Sequence, residues 1–160
     1  MKKNLFYLFA LICSMSLFTA CSSDDDATEE VTIEQVIDTQ LVGTYAGTLD
    51  VSSNGMPIAE DIAQNVVLSK SSAAANSLKI EVKELSIAGL ILNISVEPCT
   101  VVEANGTYTF AGSQDVTVEG LGSFPVTVEG SINAGNISMD IAVTNVPLLN
   151  TVDVTFTGSK

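Results

Sequence analysis

From Gly43 to Thr157 apolar and polar residues alternate with a period of two, run after run. Tyr45, Gly47, Leu49 and Val51 interleave with Thr44, Ala46, Thr48 and Asp50, and Leu78, Ile80 and Val82 interleave with Lys79, Glu81 and Lys83. The same pattern holds Leu90, Leu92, Ile94 and Val96 up to Pro98, then Val126 and Val128, then Ile137, Met139, Ile141 and Val143, then Val152, Val154 and Phe156. Shorter runs carry Val66 and Leu68, Tyr108 and Phe110, and Val116 and Val118. Successive side chains of a strand point to opposite faces, so each run predicts a strand with one buried and one wet face. Turn residues punctuate the runs at Ser53-Asn54-Gly55, at residues 71–76, at Ala104-Asn105-Gly106, at Gly120-Leu121-Gly122 and at Asn133-Ala134-Gly135-Asn136. The phase slips near Glu84-Leu85, which predicts a bulge.

Eight or nine short strands with short turns predict an antiparallel meander. A sheet with one apolar face must close on itself or pair with another to cover that face. Local order and short connections favour an all-β, up-and-down barrel of about eight strands. Ahead of it, Thr32 with Gln35 three positions on fits a capping box, and Ile33, Val36, Ile37 and Leu41 follow at helical spacing. A short helix of two or three turns ending before Gly43 is predicted, its apolar stripe a lid or plug on the domain core.

The first 20 residues are organised differently. Lys2 and Lys3 precede an apolar run from Asn4 to Phe18, the length of a secretory hydrophobic region and short for a membrane span. Leu17-Phe18-Thr19-Ala20-Cys21 resembles the lipobox of bacterial lipoproteins, with small residues before a cysteine. That resemblance implies cleavage after residue 20 and lipidation of Cys21, with the bilayer as a partner through the acylated residue. Ser22-Ser23-Asp24-Asp25-Asp26 reads as an extended, self-repelling tether. It is also similar to the export signal that sends lipoproteins to the cell surface in one phylum of Gram-negative anaerobes. The expected organisation is a signal peptide over 1–20, a lipidated acidic tether over 21–31 and a barrel domain over 32–160. The expected location is the outer membrane, facing the cell exterior.

Composition removes whole classes of function. The chain has 19 acidic residues, six basic ones, all lysine, and no histidine, for a net charge of −13. With no cationic patch to release counterions, nucleic-acid binding is excluded. The absence of histidine removes the commonest general base and metal ligand, and the absence of arginine removes the fork that grips phosphate or carboxylate. No nucleophile elbow, phosphate loop or Asp-x-Asp-x-Asp-Gly spacing occurs, so neither an enzyme, a cofactor nor a metal site is expected. The carboxylates Glu60 with Asp61, Glu81 with Glu84 and Glu119 with Glu129 mostly alternate with buried positions and should face solvent. Of the three cysteines, Cys13 and Cys21 belong to the targeting segment, leaving Cys99 as an unpaired, partly buried strand residue.

Three stretches carry a resemblance to the calycin-like β-barrel domain of bacterial lipoproteins. They are Leu41-Val42-Gly43-Thr44-Tyr45-Ala46-Gly47-Thr48-Leu49, Asn105-Gly106-Thr107-Tyr108-Thr109-Phe110, and the ending Val154-Thr155-Phe156-Thr157-Gly158-Ser159-Lys160. Gly43-Thr44-Tyr45 is similar to the Gly-x-Trp opening of lipocalins, with tyrosine in place of tryptophan, and Lys160 is the candidate for the arginine that packs over that ring. The resemblance implies a binding protein built on a nearly closed barrel. One reading holds a small apolar ligand inside, against Tyr45, Leu49, Ile80, Val82, Leu92, Ile94, Met139 and Ile141. The other binds a surface protein partner through loops, with Leu121, Phe124, Leu148 and Leu149 as contacts, in the manner of an interaction module or a protease inhibitor.

Overall fold

The computed structural model describes residues 31–87, 90–118 and 122–160. The expectations for the signal peptide, Cys21 and the acidic tether lie outside the described residues. Val31–Lys160 form one compact unit.

Eight strands follow one another around a closed barrel. They are β1 (Gly43–Ser53), β2 (Met56–Lys70), β3 (Ser77–Ile87), β4 (Leu90–Ala104), β5 (Thr107–Val118), β6 (Gly122–Asn133), β7 (Asn136–Val146) and β8 (Asn150–Ser159). Each pairs antiparallel with its neighbour in sequence, and β8 returns to β1, where Leu49 faces Phe156 and Val51 faces Val154. Two seams are paired only toward the helix end: β2 pairs with β3 over Val66–Lys70, and β4 with β5 over Cys99–Ala104.

Two of the predicted runs turn out to be one strand. Tyr108–Phe110 and Val116–Val118 both lie on β5 and pair without a break to β6. The apolar signal is interrupted between them because Gly112 and Gln114 stand at the alternate positions, Gln114 being exposed and accepting from the Glu97 N–H at 2.9 Å. At Gly112 a Cβ would lie 2.6 Å from the Cys99 sulfur, so no larger residue fits there. The β4 run does not end at Pro98. A cis peptide carries the chain through it, and Cys99 and Val101 remain in the core. β2 is longer than its apolar residues suggested, because its first half is polar. The predicted bulge is present: pairing shifts between Val82 and Leu85, and Glu84 takes a positive φ of 54°.

The chain enters the barrel as anticipated. Thr32 caps a one-turn helix α1 (Ile33–Val36) with a reciprocal capping box to Gln35. A wider π turn over Ile37–Leu41 follows and delivers the chain to β1. Val36, Ile37 and Leu41 are buried in the same cluster as the inward residues of every strand. They cover the end of the barrel that also carries the 71–76 loop, the Asn105-Gly106 and Ala134-Gly135 turns and Lys160. The other four connections gather at the opposite, far end.

Candidate functional site

The proposed ligand-pocket residues come together, and they do so as a packed interior. Tyr45, Leu49, Ile80, Val82, Ile94, Met139 and Ile141 are all buried in one cluster, with Leu92 partly buried against it. The Tyr45 hydroxyl donates to the Leu41 carbonyl oxygen at 2.9 Å. Burial pushes its pKa above the ordinary tyrosine value. Lys160 Nζ lies 5.4 Å from the centre of the Tyr45 ring, a cation–π distance. It also donates to the Gln40 and Val42 carbonyl oxygens. Lys160 therefore stands over Tyr45 as the resemblance implied, and it clamps the end of β8 to the turn that enters β1.

Among the described residues no buried side-chain oxygen or nitrogen lacks a hydrogen-bond partner. Ser71, for instance, donates to Glu97 Oε2 at 3.1 Å and Ser77 to the Ala75 carbonyl at 3.1 Å. The interior thus presents no free polar group to orient a ligand. Burial and the nearby Glu97 carboxylate push the Cys99 thiol up to about 11, so it is neither a thiolate nor a nucleophile near neutral pH. Three concavities, of about 610, 340 and 370 Å³, are lined mainly by outward-facing residues of the wall. The first and third share Glu129 and Asp140, which face each other across β6 and β7. Both carboxylates are exposed. Asp140 accepts from Thr155 Oγ1 at 2.9 Å. No group of three metal-ligating side chains occurs among the described residues.

The loop candidates separate. Leu121 lies outside the described residues. Phe124 is not a loop contact: it sits on β6 facing Val116 of β5, and is 6% exposed. The inward phase of its strand decides that, since Phe124, Val126 and Val128 lie on one face. Leu148 and Leu149 are at the surface between β7 and β8, and Leu148 is 105% exposed. Its φ is +72°, the left-handed region that a branched side chain rarely adopts. Neighbouring bonds hold the turn in that shape. The Leu149 carbonyl oxygen accepts from Ser53 Oγ at 3.0 Å and from Asn54 Nδ2 at 2.9 Å, which ties this turn to the β1–β2 hairpin.

Sequence reasoning missed Val31 and Val102 toward the helix end and three exposed apolar residues at the far end. Met56, Ile58 and Ile91 are 68%, 39% and 70% exposed and lie at the start of β2 and of β4. With Leu148 and Leu149 they place exposed apolar side chains on three of the four far-end hairpins, which we call the apolar rim. Ile91 was hidden because Leu90-Ile91-Leu92 reads as apolar in either phase. Only the pairing of Ile91 with exposed Ser86, and of Leu92 with buried Leu85, puts Ile91 outside. Within that rim, Ile62, Leu92, Val116, Val143 and Val146 are partly buried against the core.

The family model of the calycin-like β-barrel domain matches residues 41–159. A search of curated proteins gives no match. A crystal structure of a Bacteroides fragilis protein, named a "putative outer membrane protein", superposes with a TM-score of 0.58 at 18% identity. The match covers 75% of this chain and 51% of that one, so the chain spans about half the length of its structural neighbour. At that identity the likeness speaks for the fold alone.

Proposed function

The chain belongs to the calycin-like β-barrel domain family, and on that basis we propose that it is a non-enzymatic binding protein, lipid-anchored at the outer membrane, which engages a protein partner through the apolar rim at the far end of its barrel. The observation that carries this reading is Leu148. A fully exposed leucine held at positive φ costs on the order of 1 kcal/mol, and it packs no core in return. Strain kept at a surface position is a mark of use rather than of folding.

Anchoring involves the opposite end. The chain approaches the barrel through α1, at the helix end. A lipid on Cys21 would tether the barrel from that end of the chain. The ten residues from Ser22 to Val31 would reach at most about 35 Å when extended. The structural neighbour's name supports an outer-membrane location, and the acidic run after Cys21 supports one facing the cell exterior.

A second reading is favoured by the half-buried ring of Ile62, Leu92, Val116, Val143 and Val146 inside the rim. A small apolar molecule could seat against those side chains rather than deep in the barrel.

One set of experiments separates the two. A photo-crosslinking amino acid at position 148, in the native host, is expected to give a discrete adduct. The same group at Thr157, on the outer wall near the helix end, is expected to give none. Native mass spectrometry of residues 22–160 purified from the host would instead show a stoichiometric apolar ligand if the small-molecule reading holds. Labelled palmitate should enter the wild type and not Cys21→Ser. Equal crosslinking at 148 and 157 would overturn the rim as the binding surface.

A further inference from the structure

We propose that the partner of the far rim is a cationic amphipathic peptide segment, apolar on one face and bearing lysine or arginine on the other. The proposal rests on the rim reading above and adds the chemistry of what the rim accepts.

The charge pattern around the rim carries it. Each of the four far-end hairpins holds an exposed carboxylate three residues in from a strand's end. These are Asp50 on β1, Glu84 on β3, Asp115 on β5 and Asp153 on β8. Glu60 and Asp61 on β2 add two more beside Asp50, and the Asp61 backbone N–H donates to Asp50 Oδ1 at 2.9 Å. Three residues of strand are about 10 Å, so the carboxylates form a collar just behind the apolar tips. The lysines are elsewhere or engaged. Lys70 pairs with Asp38 and Lys79 with Glu81, while Lys160 is held by the Gln40 and Val42 carbonyls. Lys83, on the far half of β3, is turned to Glu81 at 3.7 Å. None of the ion pairs among the described residues uses a collar carboxylate.

A partner that only buried the rim would leave this collar repelling itself at the contact. Cations placed around an apolar face would answer both features together. Their attraction would act over about a Debye length, roughly 10 Å in 0.1 M salt. The same collar disfavours an anionic membrane or an acidic peptide as the occupant.

The test uses residues 22–160, which contain the whole compact unit and its core. The probes are three fluorescein-labelled helical peptides of about 18 residues, five turns each. One has a leucine face and a lysine face. The second replaces every lysine with glutamate. The third keeps the lysines and replaces every leucine with serine. Fluorescence anisotropy at about 50 mM salt should show the Leu/Lys peptide binding at least about tenfold more tightly than either control. Raising salt to about 300 mM should weaken it about tenfold as the Debye length falls. The combined variant Asp50→Asn, Glu84→Gln, Asp115→Asn and Asp153→Asn should weaken it by a similar factor at low salt. That is ~1.4 kcal/mol, the scale of four exposed ion pairs. The substituted side chains are exposed, and the amide introduced in place of the Asp50 carboxylate keeps an oxygen for the Asp61 N–H, so thermal unfolding should not change.

Equal binding of the Leu/Glu peptide would overturn the cationic partner and leave the rim reading standing. Equal binding of the Lys/Ser peptide, unchanged by Leu148→Ser with Ile91→Ser, would overturn both. Retention on phosphatidylcholine vesicles without peptide binding would overturn the proposal in favour of a lipid surface.

Discussion

The two ends of this barrel are built on opposite terms. At the helix end most apolar side chains are inside, with Val31 and Val102 the exposed exceptions among the described residues, and the turns are small and polar. Val36, Ile37 and Leu41 are buried, Tyr45 hydrogen-bonds the Leu41 carbonyl, and Lys160 closes over its ring. At the far end the described tips carry Met56, Ile58, Ile91, Leu148 and Leu149 to the surface. Left-handed non-glycine residues at Asp61, Glu84 and Asn145 interrupt strands in that half and Leu148 is left-handed in its turn, whereas Asn76, Asn105 and Ala134 take this conformation in the helix-end turns. The helix end has one ladder shift, between Leu78 and Ile80, while the far half has shifts beside Val51, between Val82 and Leu85 and between Thr144 and Val146, so local conflicts are more frequent there. Such conflicts are expected at functional sites.

The largest effect is expected at Tyr45. Tyr45→Ala removes a buried ring and its hydrogen bond, and leaves Lys160 with no face to cover. It should lower the free energy of unfolding by about 3–5 kcal/mol, read from urea titration. Leu92→Ala, toward the far end and only partly buried, should cost clearly less. The reverse order would erase the difference in tightness between the ends.

The helix end was largely legible in the sequence. Thr32 and Gln35 announced the cap, and the spacing of Ile33, Val36, Ile37 and Leu41 announced the plug. Gly43-Thr44-Tyr45 and Lys160 could be paired by resemblance, and the structure brings Tyr45 and Lys160 together. Those signals are local, or sit in unbroken alternation. The far end was less legible because bulges reset the phase. Met56 and Ile58 lie in a β2 half where Glu60, Asp61, Gln64 and Asn65 mask any period, and pairing shifts beside Val51. Phe124 looked like a loop residue because the Gly120-Leu121-Gly122 turn is close in sequence, yet strand pairing turns it inward. Which face a residue takes beyond a bulge is fixed by its partner strand, and that is non-local information.

A middle-sized effect comes from Cys99, buried between the two ends. Its pKa is raised from 9.0 to about 11, first by burial and then by Glu97. A raised folded-state value means that the native protein holds the proton more tightly than the unfolded chain. The stabilisation is therefore complete below pH 9 and is lost as the pH rises from about 9 to about 11. Its scale is about 2–3 kcal/mol at 1.36 kcal/mol per unit. The wild type should lose more stability than Cys99→Ala across that interval, measured by urea unfolding at each pH. A thiol reagent should label Cys99 slowly at pH 8 in the native protein. Fast labelling there would show that the barrel opens readily at this level, and the packed core would then extend less far from the helix end than the burial indicates.

The smallest effect in stability carries the most weight for function. Asparagine tolerates positive φ better than leucine, so Leu148→Asn should leave stability unchanged or raise it by up to about 1 kcal/mol. The Ser53 and Asn54 donors to the Leu149 carbonyl would still hold the turn. If Leu148 were present to plug the end of the barrel, the same substitution would destabilise, because an apolar contact would be replaced by a polar side chain. Its exposure of 105% argues against a plug. The expected outcome is thus a protein that is as stable as the wild type and binds less. Loss of stability together with retained binding would assign Leu148 to the fold, and the two ends would then differ in tightness alone rather than in purpose.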